Sequence, residues 1–304
     1  MSQLLRIVVF APMLCCPIAA QQGAIELFVG ETLFKGGTRV SATFLHEEGG
    51  ALLSGVGSVP NPSRLERSRE VLVLGITHGL RRGTDLTLLA PFVRTDATFL
   101  SGVSSTETDQ SEPGDISLTV RQRVHHELWE RSAWATSILG GVQLPTGSDD
   151  ERQGGVLLPP TLQAGSGSFD PFVGLASTLE LDRVRIDGSL FYLRPTEGAQ
   201  DYEGGGVFSA SLTAGYRALM TRYPGPTVGV KGGLRYRHEG RARIDGASLG
   251  SSGREELSLQ LGVTLHPSPG WDIVTTLEVP VYEDVNGSQL GVDYRLLLGV
   301  GWRF

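Results

Sequence analysis

Residues 291–304 read GVDYRLLLGVGWRF, and the two parities of that stretch differ in kind. The even positions are Val292, Tyr294, Leu296, Leu298, Val300, Trp302 and Phe304; the odd ones are Asp293, Arg295, Leu297, Gly299, Gly301 and Arg303. Successive side chains of a strand point to opposite faces, so a strand here has one unbroken apolar face with an aromatic near each end, and one face of charge and glycine.

The same period-2 pattern recurs back through the chain. It predicts strands over 38–46, 69–78, 84–95, 115–124, 132–144, 169–180, 184–194, 207–217, 227–237, 255–265, 271–281 and 291–304. The expected fold is all-β, a transmembrane antiparallel β-barrel of about twelve strands. That number is even, as a single-chain barrel with both termini on the periplasmic side requires. Connections alternate in length: 47–68, 96–114, 145–168 and 238–254 are long, whereas 79–83, 181–183 and 266–270 are tight. Short periplasmic turns against longer external loops are a property of membrane barrels.

If the first strand rises from the periplasm, the apolar parity places Phe44, Phe92, Tyr192, Phe208, Tyr236 and Tyr294 at external strand ends. Trp134, Tyr216, Trp271, Trp302 and Phe304 then fall at periplasmic ends, with aliphatics such as Leu257, Leu259, Leu261 and Val263 between. Two aromatic girdles around an aliphatic band suit a bilayer, because amphipathic rings prefer the headgroup level. A soluble core would hold its aromatics in the middle.

The opposite parity carries Arg39, Arg121, Arg123, Arg185, Arg217, Lys231, Arg235, Arg237, Arg295 and Arg303, with Asp85, Asp187, Glu256, Asp272, Glu278 and Asp293. An Arg or Lys facing hydrocarbon costs roughly 2–4 kcal/mol at the midplane, so the charges point inward. The expected pore lining is Arg121, Arg123, Arg185, Arg217, Lys231, Arg235, Arg237, Arg295, Asp85, Asp272, Glu278 and Asp293. Two roles are open to these groups. The arginines either meet anionic or aromatic solutes in a narrow lumen, or pair with Asp85, Asp272, Glu278 and Asp293 into a plug-like network that leaves a structural or adhesive barrel.

Composition agrees with a barrel. Of 304 residues 41 are glycine, lysine occurs only at Lys35 and Lys231, and the formal charge is -7, which argues against a nucleic-acid partner. Mean hydropathy is -0.02. Beyond the first twenty residues no apolar run approaches the ~18 that a membrane helix needs. The opening MSQLLRIVVFAPMLCCPIAA has one early charge, an apolar centre and small residues at Ala19 and Ala20, the layout of a secretory signal peptide. Both cysteines, Cys15 and Cys16, lie in it, so the mature chain is expected to hold no thiol ligand or disulfide. The expected organisation is a signal peptide at 1–20, a periplasmic lead-in at 21–37 and an outer-membrane barrel at 38–304.

Several segments carry a resemblance. They are GETLFKGGTRVSATF (30–44), GDISLTVRQRV (114–124), GGVQLPTGSDD (140–150) and LQAGSGSFDPFVGLA (162–176), in that order and before an aromatic C-terminus. Together they resemble an outer-membrane transporter family linked to the meta-pathway of phenol degradation. That resemblance implies a medium-sized outer-membrane barrel with a transport role and brings no substrate site. The final strand is similar to the closing strand of outer-membrane barrels, whose terminal Phe forms part of the signal read by the barrel-assembly machinery. Outer-membrane lipid and lipopolysaccharide are the other expected partners, beside an unidentified small solute.

Catalytic and metal motifs are scarce. The adjacent His125 and His126 either point to opposite faces of a strand or lie in a periplasmic turn, so they form no chelating pair in regular β-structure. HEEGG at 46–50 and SDDER at 148–152 place carboxylates in external loops, where solvation of the loop tips is the better reading against binding of divalent cations or lipopolysaccharide counter-ions. No Walker loop, EF-hand spacing or GxSxG elbow occurs, and no cofactor or metal is expected. A lipid-hydrolysing barrel needs Ser and His on its lipid face; that face offers Ser177 and Thr136 but no histidine expected at the same level. The loop from Pro145 to Ser168 mixes acidic and apolar residues, so Val156 to Leu162 either covers the mouth beside Asp170 or packs on external neighbours.

Overall fold

The computed structural model describes residues 29–101, 104–153 and 155–304; the expected signal peptide lies outside the described residues. The chain forms twelve long strands: β1 (Thr38–Gly49), β2 (Glu66–Arg81), β3 (Thr84–Ser101), β4 (Ser117–Trp129), β5 (Ser132–Gln143), β6 (Asp170–Leu181), β7 (Val184–Leu193), β8 (Val207–Met220), β9 (Thr227–Glu239), β10 (Arg254–His266), β11 (Trp271–Leu290) and β12 (Tyr294–Arg303). Each pairs antiparallel with the next. β12 returns to β1, with Arg303 opposite Arg39 and Tyr294 opposite Glu48. The sheet therefore closes as an up-and-down barrel with no free edge among these strands, which satisfies every ladder and is how a sheet can sit in lipid.

The alternation decides which face is which. On β2, Leu72, Leu74 and Ile76 are more than 40% exposed while Val71 and Val73 are at most 4% exposed. The aliphatic parity points outward on every strand that shows it, including Leu259, Leu261 and Val263 on β10 and Leu298 and Val300 on β12. A continuous exposed apolar belt is a hydrocarbon-facing surface.

The structure lengthens several strands at the long-loop end. Residues 96–101, expected in a loop, continue β3 and pair with a returning arm at Ser104–Pro113. Thr at 95, 98, 106 and 108 favours extended backbone there. β11 runs on to Leu290 against a short strand at Leu52–Gly55. β1 extends through Glu47 and Glu48, so that carboxylate pair belongs to a strand and not to a loop. β12 begins only at Tyr294: Val292 is 4% exposed and Asp293 exposed. Both leave the parity expected of them, because the Asp293 N–H is held by the Glu48 carbonyl outside the ladder.

Candidate functional site

The barrel interior gathers the side chains of interest, and it differs from one level to the next. Toward the long-loop end, β1, β2, β9, β10, β11 and β12 build a buried ionic network. Arg295 donates from Nε to Glu47 at 2.7 Å, from Nη1 to Glu278 at 2.8 Å and from Nη2 to Glu256 at 2.9 Å. Arg67 adds a bond to Glu47 at 2.9 Å, Arg235 one to Glu278 at 2.5 Å, and Gln260 one to Glu278 at 2.8 Å. Arg237 lies 3.5 Å from Glu239 and Arg254 3.4 Å from Glu283. Each of these five arginines has a carboxylate beside it, which is the arrangement that buried charge demands.

Across the barrel the same tier is apolar. Leu139, Phe172, Phe191 and Leu193 pack together from β5, β6 and β7, the two phenylalanine rings 5.5 Å apart. Leu89 touches both this group and a second one of Leu45, Val71, Val73, Val93, Leu297 and Ala164. Ala164 belongs to the loop after β5, so that loop dips inside the mouth. It does so at Ala164, just beyond the expected segment from Val156 to Leu162. Leu158 and the short 3-10 turn Pro160–Leu162 remain above, tied by Gln163 to Glu151 and Leu158.

A single carboxylate holds that loop down. Asp115, 1% exposed, accepts from the Thr146 N–H at 3.1 Å, the Gly147 N–H at 2.8 Å, and both the N–H and Oγ–H of Ser166 at 2.7 Å. Asp170 accepts from Ser168 Oγ at 2.7 Å and the Thr196 N–H at 2.8 Å. The GDI, LPTG and GSGSFDP segments thus meet at one clasp. Gly147 and Gly165 make the meeting possible, since a Cβ on Gly147 would lie 2.7 Å from the Gly165 Cα. The cavity left beside the clasp is about 30 Å³, room for water and not for a solute.

Below the mouth the inner wall is small and polar: Gly75, Gly233 and Gly299, the Ser189–Ser211 and Thr77–Thr87 hydroxyl pairs at 2.7 and 2.9 Å, and Lys231. Gly215 and Gly262 lie opposite Lys231 on the two flanking strands. Lys231 has no hydrogen bond or ion pair among the described residues, although Asp187 and Arg185 act on it electrostatically.

At the short-turn end charge returns in pairs. Arg39 meets Asp272 and Arg121 meets Asp85, each at 2.7 Å. Arg185 meets Asp187 at 2.8 Å, Glu180 at 3.1 Å and Glu31 at 3.2 Å, and Arg217 also meets Glu180. Arg123 faces inward opposite Ser137 at this rim. The described part of the lead-in crosses here inside the wall. Gly30 N–H donates to Thr178, Ser137 Oγ donates to the Gly30 carbonyl at 2.6 Å, Leu33 N–H donates to Asp85, and Arg121 donates to the Val29 carbonyl. Only glycine fits at 30, because a Cβ would lie 2.1 Å from the Ala135 carbonyl oxygen.

Of the expected inner residues, Asp85, Arg121, Arg123, Arg185, Arg217, Lys231, Arg235, Arg237, Asp272, Glu278 and Arg295 lie on the inner parity. Asp293 does not, and Arg303 is exposed with its Nε–H on the Pro269 carbonyl. The inner set is larger on both sides than expected: Glu47, Glu180 and Glu239 also face inward, and so do Arg67 and Arg254; Glu47 and Glu239 sit where β1 and β9 outrun their expected ends. Of the aromatics, Phe92, Trp134, Tyr192, Phe208, Tyr216, Trp271, Tyr294, Trp302 and Phe304 are exposed on the outer face; Phe44 and Tyr236 are half-buried there. Trp302 stacks with Trp271 at 5.9 Å and touches Phe304 at 4.6 Å. Among the described residues no group of three or more His, Cys, Asp or Glu is placed to hold a metal.

Residues 70–255 match the family described as "Putative MetA-pathway of phenol degradation". No curated protein matches the chain. Among solved structures, an outer membrane channel from Pseudomonas putida F1 is 19% identical over 90% of this chain and 97% of that one, with a TM-score of 0.67. The translocator domain of the autotransporter NalP from Neisseria meningitidis (13% identical, 94% and 92% covered, TM-score 0.44) and the beta domain of the Bordetella autotransporter BrkA (10% identical, 89% and 100% covered, TM-score 0.47) also match. At 19% identity the likeness to the first is one of fold.

Proposed function

Because the chain belongs to the phenol-degradation family matched over residues 70–255 and folds as a closed twelve-stranded barrel, we propose that it is an outer-membrane channel for small amphipathic solutes, anionic or aromatic compounds among them. The supporting observation is the division of labour inside the barrel. Arginines of the mouth are matched by carboxylates, so they brace the wall and are not free to bind cargo. What a solute meets is the apolar wall of Leu139, Phe172, Phe191 and Leu193 on one side and then Lys231, a cation with no ion pair among the described residues. An aromatic ring suits the first and a carboxylate or phenolate the second.

The test is single-channel recording of the refolded mature protein in a planar bilayer. Wild type is expected to give small, anion-leaning steps, and Lys231→Glu to move the reversal potential toward cation preference. Arg295→Gln, by contrast, is expected to leave selectivity nearly unchanged. Silence from a properly folded barrel would sink the channel reading and favour a structural or adhesive barrel. The lipid-hydrolase reading is weaker on geometry. His125 does reach the lipid face level with Thr136 and Ser177, contrary to the sequence expectation, but Ser177 Oγ accepts from Trp134 and shares a hydrogen bond with Thr136, with no bond to His125 among the described residues, so no nucleophile–base contact is formed.

A further inference from the structure

Near the short-turn end, the outer wall of β4, β5 and β6 carries a polar row that transport does not use. A β-bulge between Arg123 and His125 shifts the register of β4. It turns His125 to the outer face, opposite Thr136 of β5, which lies opposite Ser177 of β6. Trp134 is one pleat nearer the turn on the same face, its ring 4.5 Å from that of His125. Its Nε1–H donates to Ser177 Oγ at 2.9 Å, and Ser177 and Thr136 share a bond of 2.9 Å.

This row has more hydrogens than good acceptors. Trp134, Thr136 and Ser177 hold one N–H and two O–H groups. Two are used within the row, and the remaining O–H finds at best the Ala135 carbonyl at 3.5 Å, which is too long to count for much. The His125 ring flanks the row, its Nε2 shielded from the surface and 3.8 Å from Glu127, so the open hydrogen is that of the hydroxyl pair. On a wall facing hydrocarbon such donors need an acceptor from outside.

The surroundings indicate which acceptor. Toward mid-barrel the face is bare aliphatic, with Ile138, Val173 and Leu175 exposed. Toward the rim, the turns joining β4 to β5 and β6 to β7 lie side by side, the Asp182 N–H on the Arg131 carbonyl. They present exposed Arg131 and Arg183, with Glu130 and Asp182 among them. Guanidinium, hydroxyl row, aliphatic strip is the order of phosphate, ester carbonyl and acyl chain in a glycerophospholipid.

We propose that this strip is a binding site for one glycerophospholipid of the periplasmic leaflet. Its ester carbonyls accept from the Thr136–Ser177 pair, its phosphodiester faces Arg131 and Arg183, and a chain lies along Ile138, Val173 and Leu175. The site rests on the membrane placement of the barrel and not on its conductance, so a silent channel would leave it standing.

The experiment is native mass spectrometry of the full mature barrel released from micelles containing phosphatidylglycerol. It compares wild type with the near-isosteric Thr136→Val/Ser177→Ala variant, and the diacyl lipid with a dialkyl ether analogue that lacks ester carbonyls. Wild type is expected to retain the diacyl lipid, and the variant about five- to ten-fold less, the effect of losing about one net hydrogen bond. The ether analogue should be held weakly and equally by both. Retention of the diacyl lipid at the wild-type level by the variant, or of the ether analogue as well as the diacyl lipid, would overturn the site. A heat-dependent gel shift checks folding, and Thr136→Val alone replaces a double variant that fails it.

Discussion

Arg295 is the side chain on which the mouth depends most. It is 5% exposed and touches Glu47, Glu256 and Glu278 at once, so its removal leaves the buried Glu256 without a cation and leaves Glu47 and Glu278 with only Arg67 and Arg235. Breaking a buried ion pair from one side costs about 3–5 kcal/mol, whereas losing a half-exposed pair costs below about 1 kcal/mol. Arg295→Ala is therefore expected to lower the urea midpoint of the folded barrel far more than Arg39→Ala, whose Asp272 partner is reached by solvent; equal shifts would show that water already fills the mouth. Asp115 is the second such residue. Asp115→Ala leaves four donors without their acceptor, each worth about 1–3 kcal/mol if buried. The expected outcome is faster protease cleavage within 145–168 in intact liposomes, by about ten-fold for each 1.4 kcal/mol of lost clasp stability. Neither residue was legible as what it is. Arg295 was placed on the inner face by parity alone, but its three acids come from three other strands.

Among elements, the loop after β5 and the segment at 29–33 narrow the barrel from opposite ends. Ala164 rests on Leu45, Val71, Val73, Val93 and Leu297, and Gly30 is bonded to Thr178 and Ser137. Deleting 151–164 is expected to raise single-channel conductance, and deleting 29–33 to raise it separately. If both obstructions lie in series, the double deletion exceeds either alone; unchanged conductance after the first deletion would rule out a constriction by that loop. The strand pattern revealed the existence of these connections, and the mixed polarity of 145–168 hinted at an inward fold. Nothing in the lead-in signalled its path, because a short segment without periodicity shows its contacts only when the opposing wall is in place.

At the scale of the whole molecule, the barrel is inverted relative to a soluble one: aliphatic outside, ionic and small inside. Trp134, Trp271 and Trp302 all lie on the outer face toward the short-turn end. Lipids brominated high on the acyl chain should therefore quench tryptophan fluorescence of the reconstituted protein more strongly than lipids brominated near the chain end. Equal, weak quenching by both would contradict a membrane-embedded belt. By itself the sequence determined the fold class, the twelve strands and which parity faces lipid, because those depend on a period of two that each strand displays alone. Tertiary structure decided the rest. Glu47 neutralises Arg295 from the far end of the chain, Glu180 reaches Arg217 of another strand, a bulge reverses the parity of His125, and three loop motifs meet at Asp115. Pairing between strands decides these contacts, closure in particular setting Arg295 of β12 beside Glu47 of β1, 248 positions away, a relation no local periodicity encodes.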